Sequence, residues 1–180
     1  MRLRSAIFAI VILAHLLGHD SRAQESARQC RKHSLRDSII AVLNKAILLN
    51  ENLKKSVGKV SEDSLHKLTG ALERFDEEFA DSARIKAKKV LRTKNDALLF
   101  CTYLRYVISQ ENSADEEITW DIGELFIENP DIFFKTQCKI TDEERNILKK
   151  TIEEGLFFWS YKINYSKSRI DSVKKRLDLF

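Results

Sequence analysis

From Leu148 to Phe180 apolar residues recur every three or four positions without a proline: Leu148, Ile152, Leu156, Trp159, Ile163, Ile170, Val173, Leu177 and Phe180, with Ser166 in the one polar slot. This is the spacing of one face of an α-helix. Left unbroken, the stripe predicts a last helix about 50 Å long at 1.5 Å per residue. A break near Asn164 is the alternative. Thr141-Asp-Glu-Glu144 precedes the stripe as a capping box, with acids in the first turn to match the helix dipole.

The rest of the chain obeys the same rule. Ser34 and Asp37 open a stripe through Leu35, Ile39, Val42, Ala46, Leu49, Leu53 and Val57, which Gly58 closes in the position where helices favour glycine. A second start at Ser61 leads Leu65, Leu68, Leu72, Phe75 and Phe79, with a break expected at Asp81-Ser82. A third stripe holds Ala87, Val90 or Leu91, Ala97 or Leu98, Cys101, Leu104 and Ile108, interrupted near Thr93–Asp96. The fourth, from Ser113 and Glu116, carries Ile118, Ile122, Leu125 and Phe126. Asn129-Pro130 stops it, because the residue before proline avoids the helical region. Residues 131–140 predict a turn or one helical turn on the core. Five glycines and one proline are too few for a turn-rich sandwich or barrel. The fold expected is all-α, a helical bundle of four to five amphipathic helices with a long C-terminal helix.

Residues 1–23 read differently. Arg2 and Arg4 precede a 13-residue apolar run, 6–18, and Ser21-Arg22-Ala23 supplies small residues at a cleavage site. That is the grammar of a secretory signal peptide cut after Ala23, and the run falls short of the roughly 20 residues a membrane span needs. The expectation is therefore a secreted, extracellular protein starting at Gln24. A polar arm over 24–33 and a single domain over 34–180 complete it, with no stable membrane span. Taking three bases (Arg2, Arg4, Arg22) and one acid (Asp20) from the totals of 31 and 27 leaves 28 and 26, close to balance. The most basic segment, Lys167–Arg176, is interrupted by Asp171, so a solvated helix face is expected and no nucleic-acid partner.

Export gives the three remaining cysteines meaning, since two of Cys30, Cys101 and Cys138 should pair. Cys101 sits on a helix stripe and Cys138 in a linker able to lean over it, which favours Cys101–Cys138. Cys30 would then be the odd thiol, available for a covalent dimer. Cys30–Cys138 is the competing pair, tying the arm down. Asn164-Tyr-Ser166 is the one glycosylation sequon, so Asn164 is the candidate glycan site.

Motifs for chemistry are missing from the sequence. His33 and His66 stand alone, with no Cys/His zinc spacing. Phosphate loops, GxSxG and HExxH are absent. The acidic pairs Glu77-Glu78, Glu116-Glu117, Glu143-Glu144 and Glu153-Glu154 lie among lysines on helix turns and read as exposed faces. No enzyme activity, metal or cofactor is expected. The aromatic residues are more informative. Phe157, Phe158, Trp159 and Tyr161 are too close in sequence to face one core, since neighbours on a helix point about 100° apart. Some of them must look elsewhere: either the last helix is central and buried all round at this level, or they form a contact patch or line a pocket, and Phe133-Phe134 pose the same question.

Cys30 followed by Leu35, Ile39-Ile40 and Leu43 resembles the first helix of the short-chain helical cytokines. The resemblance is confined to these residues and lacks that family's full cysteine set. It implies a helical ligand acting through its faces on an extracellular receptor. The function expected is thus a secreted, non-enzymatic helical protein that works by protein–protein contact. The alternative is an extracellular carrier of a lipid or other small apolar ligand, in a cavity lined by Phe133, Phe134, Phe157 and Trp159.

Overall fold

A computed structural model describes residues 35–111, 116–162 and 164–180. The signal segment with its cleavage after Ala23, the 24–33 arm, Cys30, Ser34, Ser113 and Ile163 lie outside the described residues. By its own contacts the chain divides into Met1–Ser38 and Ile39–Phe180. Of the first unit only 35–38 is described; the core and the clefts belong to the second.

Every regular element described is helical. Helix α1 covers 35–56, and Gly58 beyond its end takes φ +72°, the left-handed conformation that costs glycine nothing. Ser61 caps α2 (Glu62–Phe75), its side chain accepting from the Ser64 amide. The break expected at Asp81-Ser82 does not occur. A π-helical segment, Asp76–Ala80, instead joins α2 directly to α3 (Asp81–Leu91). A π turn inserts one residue into the helical count, and the phase of the apolar stripe shifts with it. Phe79, expected inside, is exposed, whereas Ala80, Ala83, Ala87, Leu91 and even Arg84 face the core.

Asp96 accepts from the Leu99 amide at the start of α4 (Ala97–Ser109), the most apolar helix after the break. Helix α5 (Glu116–Glu128) ends at Asn129, and Pro130 opens α6 (Pro130–Lys135) at its first turn, where its missing N–H costs nothing. The capping box at Thr141 is formed in both directions and starts α7 (Asp142–Ser160).

The long C-terminal helix is corrected. The chain leaves α7 at Tyr161 and restarts as α8 (Lys167–Leu177), so the helices also outnumber the four or five expected. The reason is Ser166. Its side chain accepts from the Arg169 amide as the cap of α8, in extended backbone that an unbroken helix forbids. The turn brings α8 back onto α7 and α5, so two short stripes face one core where one long stripe was read.

Helix α5 is central, packing on α3, α6, α7 and α8. Leu43 of α1, Leu91, Phe100, Leu104, Ile122, Phe126, Leu148, Ile152 and Leu156 belong to one continuous core. A disulfide joins Cys101 on α4 to Cys138 in the segment between α6 and α7. No helix among the described residues is long and apolar enough to cross a membrane.

Candidate functional site

Among helices α2 to α8 the packing of α5 on α7 is the most extensive, and two glycines make it close. A Cβ on Gly123 would lie 2.6 Å from the Gly155 carbonyl carbon and 2.7 Å from its Cα. A Cβ on Gly155 would meet the Thr119 carbonyl oxygen and come within 2.8 Å of the Gly123 Cα. The two backbones therefore touch, and side chains on either side of the crossing must stack or splay outward. Trp120 and Phe158 stack across it with centroids 4.2 Å apart and planes 10° from parallel. Trp159 donates from Nε1 to the Trp120 carbonyl oxygen at 2.8 Å, which locks the pair of helices at this level.

Beyond the stack the surface opens into a cleft of about 500 Å³ lined by Thr119, Trp120, Phe157, Phe158 and Tyr161. Phe157 is 61% exposed and Tyr161 is 73% exposed, their rings in edge contact at 5.0 Å. Glu116 and Glu154 stand at its rim with Lys162, whose ammonium lies 4.8 Å from the Phe158 ring centroid. Aromatic faces beside carboxylates attract cations, because the ring quadrupole and the negative charge add. Lys162 already occupies one such face.

The other aromatic candidates go elsewhere. Phe133 is buried and packs edge-on against Phe100 and Phe126. Phe134 sits at the surface beneath Arg176 and beside Phe180. Phe133 and Phe134 line a cleft of about 270 Å³ near Cys138, whereas Phe157 and Phe158 line the α5–α7 cleft. Trp159 is half-buried against Tyr165. Asn164 is exposed in the turn between α7 and α8. Cys101 and Cys138 are spent in the disulfide. His66 is exposed, and among the described residues no group of three or more His, Cys, Asp or Glu is placed to hold a metal.

Helices α3 and α5 contribute a feature that sequence reasoning missed. Arg84, Lys88 and Arg92, four residues apart, meet Glu117, Asp121, Glu124 and Glu128 in a ladder. Arg84 pairs with Asp121 and reaches Glu117 at 2.8 Å, although its side chain is only 1% exposed. Lys88 bonds Asp121, and Glu124 at 2.6 Å. Tyr165 donates to Glu128 at 2.9 Å. Burial opposes the charge on Lys88, but its bonds to Asp121 and Glu124 outweigh burial and raise its pKa. Burial first, then Glu128, raises the Tyr165 hydroxyl; burial first, then Asp121, pushes Tyr103 well above its usual range.

These raised values carry a sign. In the unfolded chain the tyrosines lose their protons near pH 10, before the folded chain does. The stability they confer is full below that pH and falls as pH rises through it. The denaturant midpoint is expected to hold from neutral to about pH 9 and to drop beyond. Tyr165→Phe should make the drop shallower; an equal drop in that variant contradicts the assignment.

No protein-family model matches the chain, no curated protein matches it, and no solved structure matches its fold.

Proposed function

We propose that this is a secreted helical-bundle protein without catalytic activity, acting by contact with an extracellular protein whose cationic side chain enters the α5–α7 cleft. The observation that carries the reading is the exposure of Phe157 and Tyr161 around the Trp120–Phe158 stack, between the rim carboxylates Glu116 and Glu154. Large aromatic rings left open to water are where binding energy concentrates. An arginine or lysine can lay its apolar stem on the rings and its charge near the rim. Export of the chain and a glycan on Asn164 belong to the same proposal, and the exposed turn at Asn164 gives a glycosyltransferase access. The carrier alternative has less support, because Phe133 and Phe134 line one cleft, Phe157 lines another, and Trp159 lines neither of the two.

The test is saturable binding of labelled protein to cells of the source organism. Phe157→Ala combined with Tyr161→Ala is expected to weaken binding about 30-fold or more, the effect of losing an aromatic anchor worth about 2 kcal/mol. Both side chains are exposed, so the variant should melt with the wild type.

A further inference from the structure

We infer that Lys162 is a resident competitor in the α5–α7 cleft, and that the partner's side chain which displaces it is an arginine. This rests on the reading of that cleft as a cation site and adds what the cation must overcome. Trp120 and Phe158 stack with centroids 4.2 Å apart, a van der Waals contact that leaves no room for an ion between the rings. The Lys162 ammonium, 4.8 Å from the Phe158 centroid, therefore lies on the outer face of that ring. The chain thus fills from within the ring face that a partner's cation would use. Lys162 is exposed in the turn beyond α7, its amide donating to the Trp159 carbonyl at 3.2 Å. Among the described residues its ammonium makes no ion pair, so the Phe158 ring is what holds it. Glu116 and Glu154 outnumber it among the lining residues, and the cleft favours a cation even with Lys162 in place.

An exposed cation–π contact is worth a factor of about two to five in an equilibrium constant. Every incoming cation loses that factor, because Phe158 must first give up Lys162. A partner's lysine would exchange one ammonium for another at this face and gain nothing there. A guanidinium gains the difference. It is planar, so it extends the Trp120–Phe158 stack by one layer, and it is more weakly hydrated than an ammonium. Its fork of donors also matches a rim carboxylate, which a point charge does not.

NMR titration of the purified, disulfide-bonded protein, followed at the indole N–H of Trp120, tests both parts. The probes are acetyl-Gly-Arg-Gly-amide, the same peptide with lysine, and the same peptide with citrulline, whose urea group is uncharged. The arginine peptide is expected to saturate at about millimolar concentration, the lysine peptide to bind about fivefold more weakly, and the citrulline peptide not to bind. Lys162→Met removes the competitor and should tighten both cationic peptides about threefold. Lys162→Arg keeps the charge but holds the ring more firmly, and should weaken both about twofold. Repulsion between like charges alone would leave that variant equal to the wild type. The side chain is exposed, so both variants should melt with the wild type. The inference is overturned if neither cationic peptide binds, if the two bind alike, if Lys162→Met gains no affinity, or if Lys162→Arg equals the wild type. The cleft's role in cell binding is judged separately by the Phe157 and Tyr161 double variant. Cell binding lost in that variant, together with peptides that bind alike, would sink this inference alone.

Discussion

Gly155→Ala is expected to destabilise the protein by about 3 kcal/mol, lowering Tm by about 6–12 °C for a chain of this size. On an ordinary helix the same change stabilises, because alanine exceeds glycine in helix propensity by about 1 kcal/mol. The sign reverses here because the new methyl group would press on backbone rather than on a movable side chain: the Thr119 carbonyl, and the Gly123 Cα at 2.8 Å. Relief requires α5 and α7 to separate, which opens the core around Ile122, Ile152 and Leu156 and unstacks Trp120 from Phe158. Gly70→Ala provides the contrast. Gly70 lies inside α2, and its added Cβ would meet only the end of the Arg74 side chain, at 3.7 Å. That variant should gain about 0.5–1 kcal/mol. Thermal or denaturant unfolding of the two proteins measures both signs, and equal shifts contradict a backbone contact at the crossing.

Replacing Cys101 and Cys138 together by alanine is expected to cost about 4 kcal/mol, the loop-closure entropy of a 37-residue separation. The segment that Cys138 anchors, Thr136–Ile140, has no regular helix of its own and few backbone hydrogen bonds. Without the link, α6 and the start of α7 keep only side-chain packing to hold them near α4. The loss should appear as a lower denaturant midpoint, and reductant should reproduce it in the unaltered protein. A midpoint indifferent to reductant contradicts a structural disulfide at this position.

Local chemistry was easy to read in this chain. Thr141 with Glu144, Ser61 with Ser64, Gly58 and Asn129-Pro130 are signals whose partners lie within four residues, and each helix end stands beside them. Long-range facts were harder. Ser166 lies on the apolar stripe and also caps α8, and periodicity alone has no means of choosing between those roles. The π turn leaves no compositional trace, so the inward swing of Arg84 and the outward swing of Phe79 could not be anticipated. The aromatic patch was visible in Phe157, Phe158 and Tyr161, but its other wall, Trp120, belongs to a different helix. Two signals were present and unused. Glycine in the middle of each of two amphipathic helices commonly marks a close approach, and Arg84, Lys88 and Arg92 share the spacing of one helix face opposite a matching acidic face on α5.

Helices α5 and α7, drawn together at Gly123 and Gly155, present an aromatic cleft that we propose receives a partner's cation. The binding isotherm of the Phe157→Ala, Tyr161→Ala protein on cells, set beside the wild type and beside matched thermal melts, tests it most directly. Coincident melts, with binding weakened about 30-fold or more, are expected. Saturable binding of unchanged affinity in the double variant would contradict it.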